Sequence, residues 1–266
     1  MTTTLLGKPL KRRDAEPKLR GEARYTDDLH IPGLLHARLV TSPHAHARIV
    51  RIDTRAASQL PGVVAILTGQ DLLPPGPEPA ERARHLLARD KVIFAGQPVA
   101  VVVADSPYTA ADAAELVAVE YEELPAVVDP LEAMRPDAPA IRPKELEGEW
   151  AEAGMHATVS GGEELDVRRL PANVTNAVRF HRGDVAQGFA SADLVIERIY
   201  RTPFVHQSYL EPHASVAVPR PDGGVTIYTS TQGMFYCRNV TATTLGLPHE
   251  QVTIVPMEVG GGFGGK

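Results

Sequence analysis

One cysteine, Cys237, stands in 266 residues. A lone thiol excludes an intramolecular disulfide framework, and it excludes a four-cysteine metal or iron–sulfur site held by this chain alone. Long apolar runs are missing as well. No stretch approaches 18 consecutive apolar residues, so the sequence predicts no membrane-spanning helix. Arg12-Arg13 is followed by the polar stretch "DAEPKLRGEAR", which excludes a secretion signal there. A basic excess is lacking too, since the formal charge is -6, and this argues against nucleic-acid binding. The local exception is the N-terminal arm, where Lys8, Lys11, Arg12, Arg13, Lys18, Arg20 and Arg24 outnumber Asp14, Glu16 and Glu22. A solvated or subunit-contacting arm is the favoured reading of that cluster. These absences together read as a cytoplasmic chain with neither a nucleic-acid nor a membrane partner. Internal repeats and Ser-His-Asp or Cys-His nucleophile patterns are also absent.

What is present is ordinary globular material. Hydrophobic residues make up 43% and charged residues 23%, enough for one large domain or two of common size. The first half alternates short apolar runs with turn signals. Strands are predicted at 34–40, 47–53 and 62–68, and the continuous run "QPVAVVVAD" (97–105) predicts a strand buried on both faces. Ser106-Pro107 predicts a helix start, with Asp112 and Glu115 assigned to its early turns. "VAVEYEELPAVVD" (117–129) returns as extended chain. "LLPPGPEPAERAR" (72–84) carries too much proline for either element and predicts a surface loop. Residues 130–175, rich in Pro, Gly and Glu, read as a connection. Beyond it, strands are predicted at 192–202, 214–220 and 224–230, the last two joined by a turn at Pro221–Gly224. A helix over 233–246 ends at Gly246 and Pro248, and "QVTIVPMEV" is the last strand.

That strand leads into "GGGFGGK" (260–266), which matches two glycine patterns at once. Gly260, Gly265 and Lys266 fit most of a phosphate-cradling P-loop, and Gly260, Gly262 and Gly265 fit a dinucleotide fingerprint. Such glycines let backbone N–H groups approach an anion. Upstream, "TSTQG" (229–233) puts Gln232 at a strand end before a helix. The intervening helix, turn and strand can bring Gln232 beside the loop, where its amide could both donate and accept. "VHQSYLEPHASVAV" (205–218) holds His206, Glu211 and His213 at no known metal spacing, so Glu211 is expected to be a structural carboxylate pairing backbone or an arginine. His44 and His46, two apart on one strand face, are expected at the surface. Cys237 is expected as a small core residue.

"VGGGFGGK" after a strand, preceded by "STQG" and "YLEPHASVAV", resembles the molybdopterin-binding subunit of the xanthine dehydrogenase, aldehyde oxidase and carbon monoxide dehydrogenase family. The resemblance extends over nearly the whole chain. The segment from "GKPLKRRDAEPKLRGEARYTDDLH" to "RAASQLPGV" is similar to the start of that subunit's hammerhead domain, and "AGQPVAVVVADSPYTAADAAELVAVEYEELPAVVDPLEA" to its end. "HRGDVAQGFASADLVIERIYRT" resembles the entry into the first molybdopterin-binding domain.

The resemblance implies an α+β chain with an N-terminal arm (1–19), a hammerhead α/β domain (20–130), a linker (131–175) and the first part of a molybdopterin-binding domain (176–266). It implies that Gln232 hydrogen-bonds an oxygen on molybdenum, and that the backbone of Gly262, Phe263 and Gly264 contacts the cofactor. The metal would be held only through molybdopterin or its cytosine dinucleotide form. The implied activity is hydroxylation of an aldehyde, N-heterocycle or related small substrate, or oxidation of CO, with oxygen derived from water. Iron–sulfur clusters and FAD would sit on partner subunits, in a dimer of heteromers. In that family the glutamate base lies far downstream, so this stretch is expected to be the first third of such a subunit and inactive alone. The alternative kept open is a P-loop nucleotide-binding module.

Overall fold

The computed structural model describes residues 7–72, 86–141, 163–166, 169–174 and 177–266. Two compact units emerge, one of Gly33–Tyr200 and one of Met1–Pro32 together with Arg201–Lys266. Helices and strands occur in both, which is the α+β class. Among the described residues no helix is long and apolar enough to cross a membrane.

The strands of Gly33–Tyr200 begin with β1 (His36–Thr41), β2 (Ala47–Asp53), β3 (Val63–Thr68), β4 (Lys91–Val92), β5 (Pro98–Ala104) and β6 (Ala118–Glu123). They form two antiparallel sheets, in the orders β1-β5-β3 and β4-β2-β6. The central position of β5 explains its apolar run. Val99, Ala100, Val102 and Ala104 are fully buried, and consecutive burial of Val99 and Ala100 means that both faces are covered. Val102 joins Ala57, Ala113 and Val117 in one core cluster, while Val99 joins Ala47, Ala88 and Val92 in another.

The helix after Ser106 spans Pro107–Glu115. Its first turn holds no acid, contrary to the placement of Asp112 and Glu115 expected from sequence, because Glu115 is its last residue. The helix start is satisfied by a hydroxyl instead: Ser106 Oγ accepts from Thr109 N at 3.0 Å. A second correction concerns His46, which is 7% exposed and not at the surface. Its Nδ1–H donates to the Pro125 carbonyl at 2.6 Å, so tertiary contact places this ring inside. His44 packs against Tyr121, with ring centroids 4.8 Å apart.

Residues 73–84 of the proline-rich loop lie outside the described residues, as does much of the 131–175 connection. Within the latter, Pro130–Ala133 forms one helical turn, with Asp129 accepting from Leu131 N and Glu132 N. A two-residue strand β7 (Glu163–Glu164) pairs with β8 (Val178–Arg179). The strand expected over 192–202 does not form. Leu194, Ile196, Ile199 and Tyr200 are all well exposed, and no described strand pairs with them. An alternating apolar pattern becomes a strand only when another strand takes up its backbone groups.

The other unit carries β9 (Ser215–Pro219), β10 (Val225–Thr229) and β11 (Val252–Pro256), ordered β11-β10-β9. β9 and β10 are antiparallel across the Pro221–Gly224 turn, whereas β10 and β11 are parallel. Parallel neighbours need a crossover, and the helix Met234–Leu245 supplies it, closing on Gly246 at φ 65°. Val225, Ala242 and Val252 form the core between helix and sheet. The N-terminal residues join this unit through Lys18, whose ammonium bridges Asp14 at 2.6 Å and Glu258 at 2.8 Å.

Candidate functional site

Parallel pairing of β10 with β11 runs in register from Val225 opposite Val252 to Thr229 opposite Pro256. The C-terminal ends of both strands therefore lie side by side. Ser230–Gln232 leaves one end and Met257–Lys266 leaves the other, so a glutamine 32 positions before Gly264 meets it. Met257 N donates to Thr229 O at 2.9 Å, which keeps the two exits together.

Gln232 is the hinge of this arrangement. Its Oε1 accepts from Gly264 N at 2.9 Å and from Lys266 N at 3.4 Å, and its own N–H donates to Lys266 O at 3.2 Å. Backbone N–H groups can only donate, so they fix which end of the amide faces the loop. The side-chain NH2 is left without an acceptor among the described residues. The helix Met234–Leu245 starts two positions later, and the positive end of its dipole favours an anion nearby.

The loop turns sharply over residues 262–265, where Gly265 N donates to Gly262 O at 2.7 Å. Phe263 at φ 50° and Gly264 at φ 86° make this a turn with two left-handed central residues. For Phe263 that conformation costs on the order of 1 kcal/mol, yet its side chain is 73% exposed and so gains little burial in return. Gly262 matters for a different reason: a Cβ there would stand 2.5 Å from Gln232 Oε1, so the amide would have to shift. The N–H groups of Gly261, Gly262 and Phe263 have no acceptor among the described residues. Three donors in succession without an acceptor, one of them on the buried Gly262, lie beside a free amide and suit an oxygen-rich ligand.

Beneath the loop runs the segment containing Tyr209 and Glu211. Glu211 does act as a structural carboxylate, but its charged partner is a lysine instead of an arginine. Its Oε2 accepts from Gly260 N at 2.7 Å and from Lys266 Nζ at 2.5 Å. This pairing bears on the P-loop alternative, which finds no support. A P-loop lysine must reach a phosphate, whereas the Lys266 side chain is fully buried and held on Glu211. The backbone pairing of Glu211 was foreseen, but its lysine partner Lys266 and Tyr209 as a loop support are what spacing reasoning missed. The available signal was an acid inside an otherwise apolar-aromatic run, "YLEP".

The histidines nearby do not gather into a metal site. His206 and His213 are exposed, the first accepting from Ser208 N at 3.0 Å and the second hydrogen-bonded to the Tyr209 hydroxyl. Among the described residues no group of three potential metal ligands occurs. Cys237 lies half-buried in the helix Met234–Leu245, where burial pushes its thiol pKa up. A thiol held neutral in that way is a poor nucleophile.

Comparisons with known proteins fall on the same segments. Residues 20–125 match the family model described as "Aldehyde oxidase and xanthine dehydrogenase, a/b hammerhead domain". Residues 167–266 match the model of a "Molybdopterin cofactor-binding domain". The carbon monoxide dehydrogenase large chain of Hydrogenophaga pseudoflava is 38% identical over 257 residues, covering 93% of this chain and 30% of that one. Among solved structures, reconstituted CO dehydrogenase from Oligotropha carboxidovorans aligns with a TM-score of 0.75 at 35% identity, covering 97% of this chain and 31% of that one. Quinoline 2-oxidoreductase from Pseudomonas putida 86 aligns with a TM-score of 0.72 at 32% identity, with 97% and 31% covered. The chain thus spans about 30% of the length of the carbon monoxide dehydrogenase large chain it matches.

Proposed function

We propose, from the premise that this chain belongs to the aldehyde oxidase and xanthine dehydrogenase family, that its glycine loop and Gln232 hold a molybdopterin cofactor in a molybdenum hydroxylase. The observation that carries the reading is the division of the Gln232 amide. Its oxygen is engaged by Gly264 N and Lys266 N, and its NH2 is free to donate beside three free backbone N–H groups. A pterin cofactor bearing a phosphate is rich in acceptors and negative charge, and this donor set would match it in kind.

In this reading Gln232 Nε2 would donate to an acceptor of the cofactor, and the N–H groups of Gly262 and Phe263 would line its approach. Gly264 contributes through the turn, because its own N–H is already bonded to Gln232. The cofactor, when bound, supplies two-electron oxidation of a small substrate with oxygen taken from water. The residues of this chain orient it and offer preorganised donors where negative charge gathers. The substrate is an aldehyde, N-heterocycle, related small molecule or CO, in keeping with the names of the relatives. Electrons leave through iron–sulfur and FAD centres outside these 266 residues, whose single cysteine cannot ligate a cluster.

The test is to express the protein with its partner chains in a host that makes the cofactor, and to measure molybdenum per chain and substrate-dependent dye reduction. Bound molybdenum and activity toward one of these substrate classes are expected. A protein free of molybdenum in that host overturns the reading.

A further inference from the structure

One carboxylate joins both ends of the glycine loop. Glu211 Oε2 accepts from Gly260 N at the loop's start and from Lys266 Nζ at its far end. The main chain adds a third tie, from Glu211 N to Gly260 O at 3.3 Å. The two side chains are shielded: Lys266 is fully buried and Glu211 is 13% exposed. Lys266 Nζ also lies 5.0 Å from the centre of the Tyr209 ring, so the cation has an aromatic face as well as an anion. At Gly260 the approach is close enough that a Cβ would stand 2.6 Å from Glu211 Cβ. Buried ion pairs rarely recover their full desolvation cost, and Glu211 Oε1 remains buried without a partner among the described residues. A costly pair of this kind calls for a role beyond holding the fold together.

The anchored positions bracket the residues with free donors. Gly261, Gly262 and Phe263 run between Gly260 and Lys266, and Gln232 Oε1 grips Gly264 and Lys266 from the other side. A glycine-rich stretch has many backbone paths, and pinning its two ends removes most of them. We propose that Glu211 is a positioning residue: through Gly260 N and Lys266 Nζ it fixes the path of residues 260–266 and so aims the Gly262 and Phe263 N–H groups and the Gln232 amide at the cofactor. The inference rests on the cofactor reading of this loop.

The test compares Glu211→Gln with the double variant Glu211→Gln/Lys266→Met in the complete, cofactor-loaded protein. Glutamine keeps an oxygen for Gly260 N but cannot balance the lysine charge. The double variant leaves no buried unpaired charge, so it preserves the fold if the single one does not. Amide exchange of the peptide covering 260–266 is expected to rise at least tenfold in both, with exchange in 225–229 and 252–256 unchanged. Molybdenum per chain is expected to fall severalfold, and turnover per bound molybdenum atom to fall as well. That last readout is one that loss of stability alone would not move. Wild-type loop exchange and turnover per metal in the double variant would overturn the proposal, since they would show that only charge balance matters. Loop exchange is also measured without metal. If the wild-type protein binds no molybdenum yet the variants loosen 260–266, the cofactor reading fails while the clamp stands.

Discussion

Gln232 and Phe263 face the same loop and contribute to it differently. Gln232 stabilises it by accepting from Gly264 and Lys266, and in the proposed function the remaining amide hydrogens are the ones that meet the cofactor. Replacing Gln232 with alanine is expected to leave folding intact and to lower turnover by about ten- to a hundred-fold, the equivalent of one hydrogen bond to a charged centre at roughly 1.5–3 kcal/mol. Steady-state rates normalised to bound molybdenum check this, and an unchanged rate at full occupancy would remove Gln232 from the site. Phe263 holds a left-handed conformation with its ring mostly in solvent. Phe263→Ala is therefore expected to change the unfolding free energy by less than about 1 kcal/mol, because both residues bear the same backbone strain and little burial is lost. Its expected effect is on molybdenum content. Elemental analysis beside a denaturation curve separates the two.

Among the elements, the helix Pro107–Glu115 shows how local chemistry and packing divide the work. Ser106 takes up the Thr109 N–H, Pro107 preorganises the first turn, and Ala110 and Ala113 let the helix sit close to β5. Ser106→Ala is expected to cost about 1 kcal/mol, and Ser106→Asp to restore most of it, since either oxygen can accept from Thr109. Val102 in β5 is a deeper case. It is fully buried against Ala57, Ala113 and Val117, so Val102→Ala is expected to cost on the order of 2 kcal/mol in lost burial and residual cavity. Urea denaturation of both variants orders them: the strand change should exceed the cap change, and the reverse would mean that the site collapses freely.

Across the whole molecule, aspartates carry the acid response. Asp14 is held well below the usual carboxylate range by hydrogen bonds from Arg12 and then Lys18, and Asp53 by Arg55, while Asp222 is lowered by the Arg220 guanidinium. Asp71 is lowered by the Thr68 hydroxyl. In each case the folded chain prefers the ionised form more than the unfolded chain does, whose pKa is about 3.9. Their stabilisation is complete above about pH 5 and is lost as pH falls through 4 toward the folded values. Asp71 and Asp222 are exposed and Asp14 and Asp53 partly so, and high salt should shrink the effect most at the exposed pair. Denaturation midpoints between pH 6 and pH 3 at low and high salt check the sign. A midpoint that rises on acidification would contradict it.

Strands β1, β2, β3, β5, β9, β10 and β11 and the helices Pro107–Glu115 and Met234–Leu245 follow from the order of residues, because period, capping and turn chemistry are local. So does the meeting of Gln232 with the glycine loop, since strand, helix and strand in that order return the chain to the same sheet edge. Local pattern failed where a neighbour decides. The run at 192–202 alternates as a strand does, yet no described strand pairs with it and it stays irregular. His46 reads as a surface residue until the Pro125 carbonyl, 79 positions away, accepts its proton in the interior. Glu211 and Lys266 are 55 positions apart, and nothing in either neighbourhood announces the other. Only the tertiary fold decides such pairs, because an ion pair depends on where two distant charges meet once water is excluded, and that position is a property of the whole chain's path.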